Sequence, residues 1–362
     1  MIKRLTLDGS TVWCFSLTHG LVDLTTALLV YNAAIVHGLA PEQAAMVTIT
    51  YDIIAFAIQP LAGFFIDFLK GARIAMLAGI ALIVTGIVCI HLNALLCIGC
   101  AGLGNALFHV GAGAQILDRY PSTSRAVGIF VGPGALGLGI GCWFGSQGFS
   151  PFSFLIIGLT AAFFGLALLP ALQPAPASGR NMASRKTVKL GAVVLLLAAI
   201  LVRGFVGRTG FAGLPTDGFV IIGLGAAACI GKMVGGIVAD RAGWGRTTII
   251  GLVVTSIGIV FVRSHIGIAF TTMILFQMTM PITLVATAAG LPGKPAFAFG
   301  LTCLALVSGT LPAYYIPKVF TQLPVTLVLI GFSMFCILAA LKQLRDVREF
   351  SCIHNSQETQ IV

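Results

Sequence analysis

Residues 235–246 read GGIVADRAGWGR, and residues 63–73 read GFFIDFLKGAR. Each stretch is a glycine, an apolar run and an aspartate, followed by a turn with glycine and basic residues. Sliding the chain by 173 residues places Gly63 on Gly236 and Asp67 on Asp240. The chain has 362 residues, so this shift is close to half its length. A repeat of that period predicts two copies of one folding unit.

The composition identifies the solvent around those units. Hydrophobic residues make up 58% of the chain and charged residues only 9%, with mean hydropathy +1.03. Soluble domains carry about 25% charged residues, so this chain cannot cover a water-facing surface. Apolar stretches recur at roughly the 20 residues needed to cross about 30 Å of hydrocarbon. About twelve spans are expected, near 12–37, 43–69, 73–92, 94–117, 126–145, 151–172, 189–207, 218–239, 247–263, 265–290, 296–316 and 324–342. No alternating ten-residue pattern argues for a barrel. The expected class is an all-α membrane protein, with about twelve transmembrane helices in two pseudo-symmetric six-helix bundles. The halves are expected over 1–172 and 189–344, with a basic linker at 173–188 and a tail at 345–362.

The basic residues give an expected orientation. With the N-terminus inside, the external loops hold only Arg208, Arg263 and Lys318, and Arg203 and Lys232 fall within spans. The rest of the 21 Lys and Arg lie at cytoplasmic ends and loops, among them Lys3, Arg4, Lys70, Arg73, Arg119, Arg125, Arg180, Arg241, Arg246, Lys294 and Lys342. This asymmetry predicts cytoplasmic termini in a bacterial cytoplasmic membrane. It also accounts for the net charge of +10 without a nucleic-acid partner, since cytoplasmic cations suit an anionic inner leaflet. The first apolar segment contains His19 and Asp23 and lacks a small-residue cleavage site, so it is expected to remain as span 1. Cys97 and Cys100 form a CxxC with no second pair or nearby histidine to complete a zinc site. They read as packing residues. No metal, no cofactor and no Walker A phosphate loop is expected.

Ionisable residues inside spans cost roughly 2.5–3.5 kcal/mol each on insertion scales, so each should face a cavity or a partner. The candidates are His19 and Asp23 in span 1, Asp52 in span 2, Asn105 and His109 in span 4, Arg203 in span 7 and Lys232 in span 8. His19 and Asp23 are four residues apart and share a helix face, as do Asn105 and His109. Asp23, Asp52, Arg203 and Lys232 sum to zero charge. They either neutralise one another, or a cation binds an anionic substrate while a carboxylate carries a proton. Lys232 falls on Gln59 under the shift, so its charge belongs to one half only. His109 is either a cavity residue or a histidine satisfied by a backbone carbonyl or an amide.

The duplicated loop resembles the motif found between helices 2 and 3, and again between 8 and 9, of the major facilitator superfamily. Gly236, Asp240, Arg241 and Gly243 match it. The first copy has Phe68 where a basic residue is usual and one extra residue before Gly71. HGLVDL (19–24), GNALFHVGAG (104–113) and FQMTMPITL (276–284) look like the branch that includes fosmidomycin-resistance exporters. The resemblance implies a central cavity lined by spans 1, 4, 7 and 10. Many relatives carry an arginine in span 4, which this chain lacks.

The motif has a physical reading of its own. Gly63 and Gly236 allow close helix approach. Asp67 and Asp240 fall at helix C-termini, where the dipole disfavours a bare carboxylate. Each needs a basic or helix N-terminal partner, from Arg241 or a neighbouring helix start. Such a contact is either a static anchor or a conformational latch. In span 5, GIFVGPGALGLGIG (128–141) has small-residue faces at Gly128 and Gly132 and at Gly137 and Gly141. Pro133 removes one helix hydrogen bond. The run resembles the glycine-proline motif of proton-coupled exporters.

The expected function is secondary active transport of a small solute by alternating access, as a monomer, with proton-coupled export first. The alternatives are a symporter or facilitator for a small organic anion, and a transporter-like receptor without turnover. No nucleophile-base set suggests an enzyme. Asp23 is the expected proton carrier, with His19 and His109 as tuning or relay groups.

Overall fold

The computed structural model describes residues 9–169, 187–315 and 322–358. Residues 173–186 of the expected linker, Lys318 and the residues before Gly9 lie outside that description. Twelve helical segments follow one another among the described residues: α1 Gly9–Val36, α2 Pro41–Leu69, α3 Ala72–His91, α4 Ala94–Arg119, α5 Ser124–Ser146, α6 Phe152–Leu168, α7 Leu190–Thr209, α8 Gly218–Ala242, α9 Trp244–Val260, α10 Ile266–Gly290, α11 Pro295–Ala313 and α12 Leu323–Glu358. Ten are long and apolar enough to cross a bilayer. The other two, α6 and α9, are shorter apolar helices of 17 residues, or about 26 Å at 1.5 Å per residue. The expected spans and these helices agree closely along the chain.

Proline explains where the helices break. Pro60 lacks an N–H, and its ring clashes with the carbonyl four residues earlier. Accordingly α2 passes through a π segment, Ile53–Ala57, and resumes at Gln59. Pro281 does the same in α10, which is interrupted between Gln277 and Met280. Asn93 caps α4 by accepting from the Leu96 N–H, and Asp217 caps α8 by accepting from Val220, which satisfies donors at the helix starts.

The outside is apolar: Phe154 is 79% and Leu168 83% exposed, as a lipid-facing surface requires. Inside, one core is built mainly from α1 to α6, including Val22, Leu29, Ile83, Phe108, Phe130 and Leu159, and it extends to Leu284 and Val285 of α10 and Ala296 and Phe299 of α11. A second is built from α7 to α12, including Ala199, Val206, Leu252, Phe276 and Ile337. The two sets of helices meet chiefly along two interfaces, with α11 also touching α4 and α10 also touching α5. In one, α5 packs on α8. In the other, the stretch from Ile53 to Leu69 of α2 packs on α11, while the first turns Pro41–Asp52 pack on α1 and α4 of their own half.

Glycine permits both approaches. A side chain at Gly63 would strike the Ala296 backbone, and one at Gly236 would strike the Ser124 backbone. Gly128 and Gly132 lie against Lys232, Cys229 and Met233 of α8. Gly137 and Gly141 lie against Gly20 and Leu24 of α1. The two small-residue faces of α5 therefore serve two neighbours, and the helix is wedged between α1 and α8.

Candidate functional site

The site starts from Pro133. Having no N–H, it leaves the carbonyl of Ile129 without a helical donor. Ser16 Oγ of α1 donates to that oxygen. The next two carbonyls of α5 are also drawn into contacts outside the helix. His19 Nδ1 donates to Phe130 O at 2.9 Å, and Lys232 Nζ of α8 lies 3.4 Å from Val131 O. Three successive carbonyls around one proline thus hold a serine, a histidine and a lysine from both halves.

His109, on α4, donates from Nδ1 to Asn105 O at 2.9 Å. Both imidazoles are buried, at 4% and 5% exposure. Because a carbonyl can only accept, each Nδ1 carries its proton, and each Nε2 is left to the site. The two Nε2 atoms face one another at 2.8 Å. Asp23 completes the cluster, with Oδ2 3.3 Å from His19 Nε2 and Oδ1 3.4 Å from His109 Nε2.

Two bare nitrogen lone pairs and a carboxylate would repel one another at these distances. One cation between them removes the conflict. The three donor atoms lie within 4.8 Å of one another, as a metal would need. A tetrahedral metal with bonds of roughly 2.0–2.1 Å, however, sets its nitrogens about 3.3 Å apart. The observed 2.8 Å is shorter than that and matches a hydrogen bond. The arrangement suits one proton, shared between the rings and balanced by Asp23, better than it suits a tetrahedral metal; ligands at right angles on a metal would stand about 2.9 Å apart.

Around this triad, Asn105 Nδ2 donates to Tyr51 Oη at 2.7 Å and Thr26 Oγ1 at 3.2 Å, and reaches Asp23 Oδ1 at 3.5 Å. Gly134 is the floor: a Cβ there would fall on the Asp23 carboxylate and the His19 ring. Phe299 of α11 lies 6.4 Å from the His109 ring, centre to centre.

The remaining sequence candidates are not gathered into the triad. Asp52 makes no hydrogen bond or ion pair among the described residues. Lys232 is half-buried and in electrostatic reach of Asp23 and His109, without a direct ion pair. Arg203 is buried, donates from Nη2 to Phe276 O at 2.9 Å and lies over the Phe276 ring. Its Nε has no partner among the described residues. Direct mutual neutralisation of Asp23, Asp52, Arg203 and Lys232 is not what these side chains do. Tyr51, Thr26, Ser16 and Gly134 were not singled out by sequence. The pairing of Ser16 and His19 with α5 could have been sought from Pro133, whose freed carbonyl calls for a donor.

A second pair of sites lies at the basic end. Asp240 accepts from the Ser124 and Arg125 N–H groups, both at 2.9 Å. Asp67 accepts from Ala296 at 3.0 Å and Phe297 at 2.8 Å. Each carboxylate spans two N–H groups at the start of a helix in the other half, where the helix dipole favours an anion. Arg241 is exposed and makes no hydrogen bond to either carboxylate among the described residues. The partner is the helix start rather than the arginine.

Comparison with solved structures shows that the fold of this chain is similar to that of several transporters, one of them described as a Major Facilitator Superfamily transporter. It superposes on the Escherichia coli fucose:proton symporter FucP (N162A) with TM-score 0.65 at 14% identity, covering 94% of this chain and 98% of that one. A bacterial homologue of the iron transporter ferroportin, in an outward-facing state, gives 0.61 at 12%, covering 93% and 99%. The human organic anion transporter MFSD10 (TETRAN) gives 0.60 at 13%, covering 91% and 99%. At these identities the likeness is one of fold. No family profile and no curated protein matches the sequence.

Proposed function

We propose that this chain is a secondary active transporter that moves a small solute by alternating access, with a proton as coupling ion. The observation that carries the reading is the histidine pair. Both Nδ1 atoms are committed to carbonyls, and both Nε2 atoms meet at 2.8 Å beside a carboxylate. The proton is assigned to His19 and His109, with Asp23 as its counter-ion rather than its carrier. The pair joins α1 to α4, and His19 also holds α5, so movement of any of these helices changes the site's hold on its proton.

The two aspartate clamps supply the conformational part. Both close the basic end, and the positive-inside pattern makes that end cytoplasmic. The clamped state is then outward-facing, and release of Asp67 and Asp240 opens the cytoplasmic side. In this reading the moving bodies are 1–172 and 189–344, joined by the linker at 173–188, and one chain suffices. The protein transports rather than transforms its solute, and it resides in a bacterial cytoplasmic membrane. The sequence likeness to fosmidomycin-resistance exporters, and the glycine-rich α5, are what favour export within this reading.

The test is solute flux in proteoliposomes, with and without an imposed pH gradient. Gradient-dependent accumulation is expected for the wild type and its loss for Asp23→Asn, which removes the counter-ion. Accumulation that ignores the gradient in the wild type would reject proton coupling.

A further inference from the structure

The interior carries a charge imbalance that the proton site does not absorb. With one proton on the histidine pair, the triad of His19, His109 and Asp23 is neutral. Arg203 and Lys232 remain, together with Asp52, which pairs with neither of them among the described residues. Neither cation forms an ion pair among the described residues. Arg203 keeps a buried, unpartnered Nε, and Lys232 has only the long contact to Val131 O. Both cations sit on helices of the second half, Arg203 on α7 and Lys232 on α8. Leaving two cations this poorly partnered in a low-dielectric interior is expensive, and a bound anion would relieve it.

We propose that the transported solute is a small organic anion whose acidic group is neutralised by Lys232 and Arg203, and that it loads together with the proton on the histidine pair. This rests on the reading of the triad as the proton site. The coupling has a definite sign. Asp23 is paired with both histidines of its own half, and Lys232 comes across the interface to Val131 O, the carbonyl next to the one that His19 holds. While the pair holds its proton, Asp23 is balanced by it, and Lys232 is free for the anion. When the proton leaves, the uncompensated Asp23 becomes the competing anion for Lys232. Proton and anion therefore favour one another's binding, and by linkage the effect is reciprocal. The other ionisable groups in electrostatic reach of this region, Tyr51 on α2, Cys142 on α5, Cys229 on α8 and Cys303 on α11, add no cation. Asp52, one residue beyond Tyr51, adds no second counter-ion in contact with the pair. Co-loading is the logic of a symporter, which makes the organic-anion alternative the better electrostatic fit to this interior.

The experiment measures binding by purified full-length protein in detergent as a function of pH. The probes are lactate, succinate and glycerol 3-phosphate, with fucose as the neutral control. At least one anion should bind, and fucose should not. Above the pH at which the pair loses its proton, anion affinity should fall about tenfold per pH unit, the slope for one linked proton. Asp23→Asn removes the competitor, so its affinity should stay high and flat across that range. Lys232→Gln and Arg203→Gln should each weaken anion binding at least tenfold. They should also keep or raise the thermal stability of the unliganded protein, because each deletes a poorly partnered cation. That stability readout separates lost binding from misfolding.

Anion affinity that rises with pH in the wild type would mean exchange of proton for anion and overturn the proposal. Binding of fucose in preference to every anion would also overturn it, while leaving proton-coupled transport intact. If an anion binds with the expected pH slope but flux ignores the gradient, the failure belongs to the transport reading instead.

Discussion

The α5–α8 and α2–α11 interfaces repeat one another almost residue by residue. Asp240 on the start of α5 mirrors Asp67 on the start of α11. Gly236 against Ser124 mirrors Gly63 against Ala296. Gly128 lies on the backbone of Lys232, and Gly300 lies on the backbone of Gln59. There the copies part. One interface places a cation beside the triad. The other places a neutral amide that is fully buried and bonded to its own helix at Ala55 O. They differ in extent as well. Gly139 and Trp143 of α5 continue the contact away from the basic end to Gly225 and Gly218 of α8, whereas the first turns of α2 pack within their own half. Duplication supplied a common clamp, and divergence at Gln59 and Lys232 put the charge chemistry on one side only.

The sharpest way to break that asymmetry is Gly134→Ala. It changes no charge, but its Cβ would occupy the space of the Asp23 carboxylate and the His19 ring. Gradient-driven flux in proteoliposomes should fall by at least about tenfold, the effect of roughly 1.4 kcal/mol on the coupled step. The protein should still fold, and probe distances across the basic end should be unchanged. Flux close to wild type would mean that the triad's geometry is not used.

Swapping the divergent position comes next. Gln59→Lys would bury a further unpaired cation at a site with no exposure, at a cost of about 3 kcal/mol on insertion scales. Thermal unfolding in detergent should show a clear loss. A stability equal to wild type would show that the α2–α11 interface tolerates charge as α5–α8 does, and the comparison would lose its meaning.

The clamps should then prove equivalent. Each carboxylate accepts two charge-assisted hydrogen bonds, and such bonds contribute about 1.5–3 kcal/mol each. Replacing one acceptor oxygen by an amide, in Asp67→Asn or Asp240→Asn, should cost about 2 kcal/mol. That is roughly a 30-fold shift toward states open at the basic end. Distances between spin labels across that end should lengthen in both variants, while Arg241→Ala should leave them near wild type. A shift with Arg241→Ala as large as with Asp240→Asn would restore the arginine to the latch.

Much of this was legible in the sequence. The spans, the repeat and the requirement that Asp67 and Asp240 find a positive or helix-start partner follow from apolar run length, the shift of 173 residues and the helix dipole. The polar candidates at His19, Asp23, Asn105 and His109 also converge. What sequence could not give was their register across helices. Spacing places His19 and Asp23 on one face, but it cannot say that the His109 Nε2 meets the His19 Nε2. Nor can it say that both Nδ1 atoms are taken by carbonyls, which moves the proposed proton from the acid to the rings. The partners of Arg203 were likewise invisible, since a zero sum of charges says nothing about which side chains touch.

The smallest expected effect lies in the turn that follows each clamp. Under the repeat, Lys70 occupies the position of Gly243. Both have positive φ, 52° at Lys70 and 97° at Gly243. A residue with a Cβ holds a left-handed conformation at a cost of roughly 1 kcal/mol, which glycine avoids. The α2–α3 turn therefore carries a strain that the α8–α9 turn does not, for the same hydrogen-bonded clamp. Lys70→Gly should recover up to about 1 kcal/mol, less what the freer glycine loses to unfolded-chain entropy. In detergent that is a rise in melting temperature of a degree or two for a chain of this size. Gly243→Ala should lower it by more, because φ 97° with ψ 142° is a conformation that only glycine adopts readily. If Lys70→Gly instead destabilised the protein, the lysine would be contributing more through its charge at the helix end than its backbone costs. The two turns would then differ by electrostatics rather than by strain.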